Sequence, residues 1–173
     1  PFGLTLTETP VINISNCTFR YNHAKGNGGG VYAVQSIVNF ANCITKHNFS
    51  NQGGGLFMSE GQPNIENCHF ESNRATEKGG AVFTDYNTCS TKNSVFILNQ
   101  AQEGGAFFNS LGSAATFQLC KILGNKATDG GGGGLYNSSE SNIQVLNSLI
   151  TGNFSTKSGA AIRNNNTATI IGC

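Results

Sequence analysis

An all-β solenoid of stacked parallel coils is the fold class this sequence predicts, on three observations. The chain repeats about every 25–26 residues. Several residue columns keep register through all the repeats. Within each repeat the apolar residues alternate, as in half-buried strands, and no stretch holds a helical period. Self-similarity at such a period marks a stacked-repeat architecture.

The register is set by a Cys or Ser column at Cys17, Cys43, Cys68, Ser94, Cys120, Ser148 and Cys173, spaced by 26, 25, 26, 26, 28 and 25 residues. Apolar residues stand five and three positions before most members, as at Ile12 and Ile14 or Ile143 and Val145. This alternation predicts a first strand in each coil. A second short strand follows, with Phe19, Thr45, Phe70, Phe96, Ile122 and Ile150 on the same face as the Cys/Ser column. The third is the segment after each glycine pair, as in Val31-Tyr32, Val82-Phe83 and Leu135-Tyr136. Three short strands per coil, each paired with its equivalent one coil away, give a triangular rod. At ~4.8 Å per strand spacing, six to seven coils span roughly 30 Å. Loops are expected where the repeat length varies, between the Asn column and the glycine pair and after the aromatic. The longest is the Asp129–Gly134 stretch, read as a bulge.

Two asparagine columns stand out. One is unbroken: Asn22, Asn48, Asn73, Asn99, Asn125 and Asn153. The other, Asn16, Asn42, Asn67, Asn93 and Asn147, is interrupted by Leu119 and Gly172. Asn tolerates left-handed backbone angles, and stacked side-chain amides can bond to one another along an axis. Both columns are therefore expected to be structural ladders. The glycine pairs are expected at sharp corners. No glycine run is followed by Lys-Ser/Thr, so a phosphate-cradling loop is not indicated.

The remaining chemistry is sparse. With 11% charged residues and a formal net charge of +1, the chain lacks the basic stripe that nucleic-acid binding needs and a polybasic segment for anionic membranes. Five of the six cysteines share one inward column with Ser and the sixth, Cys89, sits in an aliphatic column. These read as small buried fillers with free thiols. Zinc ligation is not expected without a C-x-x-C pair. His23, His47 and His69 fall in different registers, so no metal, cofactor or catalytic triad is assigned to them. Glycan cleavage by clustered carboxylates would fall to Glu77, Glu103 and Asp129, the sole stacked acids. Those three are also the only candidates for a weak calcium site. No catalytic residue is assigned. Sequons outside the ladder columns make Asn13, Asn137 and Asn165 the candidate glycosylation sites of a secreted chain.

The repeats resemble those of the chlamydial polymorphic membrane proteins, which carry many copies of G-G-A-(I/L/V) and F-x-x-N. Gly79-Gly80-Ala81-Val82 matches the first motif, and Phe19–Asn22, Phe70–Asn73 and Phe96–Asn99 match the second. The resemblance spans nearly the whole chain. It departs where Gly replaces Ala in three repeats and where Thr45, Ile122 and Ile150 replace Phe. It implies a right-handed parallel β-helix and an adhesin-like passenger at the cell surface.

Residues 1–173 are expected to form a single β-helix domain, a module of a longer extracellular protein. The expected role is structural and adhesive, without catalysis: a repetitive surface that binds proteins or glycans. Its partners would be neighbouring coils or protomers and cell-surface molecules. The alternatives are a subunit that assembles end to end into fibres, and a polysaccharide-processing enzyme.

Overall fold

The computed structural model describes residues 9–173. The first eight residues of the expected domain lie outside the described part. The described chain winds through just over six turns of parallel strands, with no helix. Equivalent strands pair one repeat apart, as in Phe40↔Ile65 and Phe96↔Ile122.

The second to sixth coils carry four strands each, not three; in the first, the added strand is reduced to the single bridge His23↔Phe49. In the third turn they are Asn64–Glu66, His69–Glu71, Arg74–Lys78 and Val82–Asp85. They belong to four sheets of seven, six, five and six strands. The added strand lies just after the ladder asparagine, where a loop was expected. It shrinks to two residues in Gln100–Ala101, Lys126–Ala127 and Phe154–Ser155. Two residues are too few to show alternation, which is why periodicity missed it. Its inward residues, Ser50, Ala75, Ala101 and Ala127, are buried. Their small size lets the backbone approach the axis there.

The corners share one device. Every residue with positive φ among the described ones falls in one of four columns, one per corner. Asn16, Asn42, Asn67, Asn93, Leu119, Asn147 and Gly172 turn the chain from the first sheet to the second. Tyr21, His47, Ser72, Leu98, Gly124 and Gly152 turn it from the second to the third. The first glycine of each pair makes the next turn, and Gln35, Glu60, Tyr86, Gly112 and Glu140 close the circuit. A single left-handed residue reverses the pleat and redirects the strand, so the corner needs no loop. The second glycine of each pair answers a different need. A Cβ on Gly80 would lie 2.1 Å from the carbonyl oxygen of Gly105 in the next coil. Only a bare backbone fits there.

The interior is filled by like upon like. Val38, Phe40, Ile65, Phe70, Phe96, Phe107, Phe117, Ile122, Leu135, Ile143 and Val145 form one continuous buried cluster. The rings of Phe70 and Phe96 stack at 4.7 Å and 3°. Side chains of equal shape stacked at the strand spacing pack without gaps, and each coil buries its apolar face only against its neighbours.

Candidate functional site

The unbroken asparagine column is a hydrogen-bonded ladder. Asn48 Nδ2 donates to Asn73 Oδ1 at 3.0 Å, Asn73 to Asn99 at 3.0 Å, and Asn99 to Asn125 at 2.9 Å. Each Oδ1 also accepts a backbone N–H from the preceding asparagine, as from Asn73 to Asn99 at 2.9 Å. The second amide proton goes back one coil, from Asn99 to the Phe70 carbonyl at 3.0 Å. The same bonds tie Asn22 at one end and Asn153 at the other. In the buried members, Asn48 to Asn125, donors and acceptors are matched in full, which is what an amide buried in an apolar core requires.

The second column behaves differently. Asn16, Asn42, Asn67, Asn93 and Asn147 are exposed, and they hold left-handed angles at the first corner. Their expected side-chain ladder is corrected to a backbone role: the Asn42 and Asn67 amides donate to the next coil at 3.0 and 3.1 Å. Leu119 and Gly172 interrupt the column without consequence because only the backbone angle is shared. A further amide ladder has no counterpart in the sequence pattern. Asn109 Nδ2 donates to Asn137 Oδ1, and Asn137 Nδ2 to Asn164 Oδ1, each at 2.8 Å. Asn137 is 0% exposed, so its amide has no room for a glycan. Asn13 and Asn165 are exposed; Asn13 accepts from Asn39 at 2.8 Å, and Asn165 donates to the Tyr136 hydroxyl at 3.1 Å.

The Cys/Ser column explains its own interchangeability. Each side chain donates to the carbonyl two residues back, as Cys68 to Glu66 at 3.1 Å and Ser94 to Lys92 at 2.7 Å. Several also accept a backbone N–H from the coil before, as Ser94 from Cys68 and Ser148 from Cys120. A thiol and a hydroxyl serve alike. All six cysteines are free. Burial pushes the thiol of Cys68 up to about 11 and that of Cys89 up to about 12. They stay protonated at neutral pH and are poor nucleophiles.

On the outer side of the fourth sheet lies a second, largely buried column, of which only Tyr32 is exposed. Behind each inward Val, Leu or Phe an aromatic points outward. Tyr32, Phe57, Phe83, Phe108 and Tyr136 stack ring on ring, with centroids 5.1, 5.1, 5.6 and 4.5 Å apart. Arg163 caps the column, its guanidinium 5.0 Å from the Tyr136 ring. Four of these rings form a second apolar cluster, separate from the interior. Over Phe108 and Tyr136 the rims rise into a groove of about 240 Å³. One rim holds Lys78 and Glu103, and the other Ser110, Leu111, Ser138 and Ser139, with Asn165 at the end. Lys78 Nζ sits 4.8 Å from the Phe108 ring centre. No sequence signal separated the outward aromatic from its inward neighbour. A second depression, about 330 Å³, lies on the first sheet along Thr116, Gln144 and Thr169.

The other candidates do not converge. Glu77 accepts a bond from Gln52 at 3.0 Å, Asp129 pairs with Lys157 at 3.3 Å, and Glu103 alone reaches the groove. Among the described residues no three His, Cys, Asp or Glu side chains gather as a metal site. His47 stacks under Tyr21, His23 meets the edge of Phe49, and His69 approaches Glu71 at 3.4 Å. The 130–134 glycine run is packed: Glu103 lies over Gly130 and Arg163 over Gly131, at 2.3 Å from a would-be Cβ in each case.

These features define a parallel β-solenoid held by internal ladders, with its variable chemistry on the outside. The family described as a right-handed beta helix region matches residues 2–173, and the chain belongs to that family. No curated protein and no solved structure matches it.

Proposed function

We propose that this chain is a non-catalytic binding module of a cell-surface or extracellular β-helix protein. Its coils are the scaffold, and outward side chains and corner loops carry specificity. One observation carries the reading. The aromatic column of the fourth sheet, buried from Phe57 to Tyr136, borders a groove rimmed by polar side chains that include a single carboxylate, Glu103. A general acid and base acting on a glycosidic bond need two facing carboxyl groups, so the groove favours holding a ligand over cleaving it. The packing of the ladders supports the division of labour, since their polar atoms are consumed inside the rod.

The test compares two sets of variants for binding to cells, glycans and protein partners. Replacing the rim residues Ser110-Leu111 and Ser138-Ser139 is expected to abolish binding and leave the melting temperature unchanged. Substituting the exposed Asn67 is expected to leave binding intact. Equal binding by the rim variants, or cleavage of a glycan by the purified chain, would count against the reading.

A further inference from the structure

We infer that copies of this chain associate side by side, as parallel rods in register, with the fourth corner of one against the second corner of the next; this goes beyond the binding-module reading and does not depend on it. The charges are sorted by corner. Arg20, Arg74 and Lys126 are exposed and stand within two residues of the second-corner positions Tyr21, Ser72 and Gly124. The one carboxylate beside them, Glu71, is held by Lys46 at 2.8 Å, so that pair adds no net charge. Glu60 and Glu140 are fourth-corner residues, and Asp85 directly precedes Tyr86 of the same corner. Among the described residues none of these three acids is in an ion pair. The cations of the fourth sheet, Lys78 and Arg163, lie over the rings of Phe108 and Tyr136, and Arg163 packs on Gly131 toward the third corner. Two sheets separate the second and fourth corners in either direction round the coil. One edge of the rod is therefore basic and the opposed edge acidic.

The two edges also match level by level, at the ~4.8 Å spacing of the coils. In the third coil the basic edge carries Arg74, and the acidic edge carries Asp85 and the 60% exposed Tyr86. In the fourth coil neither edge is charged; the second corner holds Leu98 and the fourth Leu111, 57% and 40% exposed. In the fifth, Lys126 stands level with Glu140. Glu60 of the second coil lies one coil from Arg20 of the first. A copy moved sideways without rotation thus sets acid against base and leucine against leucine. Turned end for end about the fourth coil, Arg74 and Lys126 still find acids, but Arg20 and Glu60 are parted, so that pair sets the parallel sense. With a formal net charge of +1, whole copies scarcely repel one another. Because the joined edges are unlike, every copy keeps one free edge of each kind and the row does not close.

The experiment follows the folded chain by sedimentation velocity and small-angle scattering over a range of concentrations. It is run at ~0.01 M and ~1 M salt, where the screening length is ~30 Å and ~3 Å. At low salt the expected result is a series of species that grow in cross-section, not in length, as concentration rises; at high salt they return to single rods. Glu60→Lys with Glu140→Lys makes both edges basic, and Arg74→Glu with Lys126→Glu makes both acidic. Each double variant alone should associate roughly a hundredfold more weakly than the parent or worse, because like charges then meet. Mixing the two should restore association, since every contact again joins unlike edges. Glu77→Lys, outside both edges, should behave as the parent, and all melting temperatures should stay close to the parent's. Single rods at every concentration and salt overturn the inference. So do growth in length alone, association that neither salt nor the double variants weaken, and a mixture that stays as single rods. None of these outcomes bears on the rim variants, so failure here leaves the binding-module reading standing.

Discussion

Individual residues record how tightly neighbouring coils constrain one another. Thr45 takes a Phe position, and its γ-methyl would come within 2.8 Å of a Cβ on Gly55. Ile122 stands likewise 3.1 Å from such an atom on Gly134. Where the inward residue is β-branched, its methyl fills the space of the missing Ala methyl, so glycine follows. Where Phe70 and Phe96 stand instead, Ala81 and Ala106 are accommodated and fully buried. The departures from G-G-A and from Phe are thus one event seen twice in these coils; Ile150, which keeps Ala161, and Phe19, which is followed by Gly30, do not follow the rule. Thr45 also carries the one buried side-chain oxygen without a hydrogen-bond partner among the described residues. Thr45→Val keeps the branch and removes the stranded hydroxyl. It should raise stability by about 1 kcal/mol in urea unfolding, the lower end of the cost of an unsatisfied buried group. A loss of stability would show that the hydroxyl is satisfied in solution.

Among elements, the two asparagine columns look alike on paper and differ in cost. Asn99→Ala strips a partner from the Asn73 backbone N–H, the Asn73 side-chain amide and the Phe70 carbonyl at once, while Asn125 Oδ1 keeps the backbone N–H of residue 99. At ~1–3 kcal/mol per stranded buried group, the loss should exceed about 3 kcal/mol. Asn67→Gly keeps the left-handed angle that is the column's whole task and should lie within about 0.5 kcal/mol of the parent. Paired chemical denaturation of the two variants decides it; similar losses would mean that the exposed column is also a ladder. The same contrast shows what sequence could and could not reveal. The continuous ladder was legible because one residue type recurs at Asn22 through Asn153. The Asn109–Asn137–Asn164 ladder was hidden because its column begins Ala33, Met58, Thr84. The second corner was hidden as well. Tyr21, His47, Ser72 and Leu98 share a backbone angle and no side-chain chemistry. The groove escaped because its rims, Lys78, Glu103 and Ser138, come from three different coils.

At the scale of the whole molecule, the buried thiols set an alkaline limit. Burial raises Cys43, Cys68, Cys89 and Cys120 above the ordinary value of 9.0. Below that value both folded and unfolded chains keep these protons, and stability does not depend on them. Above it the unfolded chain ionises first, so stability falls as pH rises from about 9 toward 11 or 12, where the folded thiols titrate. Melting curves at about pH 7, 9 and 10 should show this decline. Cys68→Ser, which copies the natural Ser94 of the same column, should flatten it without abolishing folding. A slope unchanged in Cys68→Ser would assign the decline to other groups. At neutral pH the same burial makes these thiols slow toward alkylating reagents, leaving Cys17 and Cys173 at the exposed ends to react first.

The asparagine spine has a sense of direction. In every step the amide nitrogen of one turn reaches forward to the oxygen of the next, never the reverse. The side-chain dipoles consequently point one way, head to tail, through the rod. Coils of this type can extend such a spine only by joining unlike faces; two like faces would set donor against donor or acceptor against acceptor. Any assembly continued through this spine is vectorial.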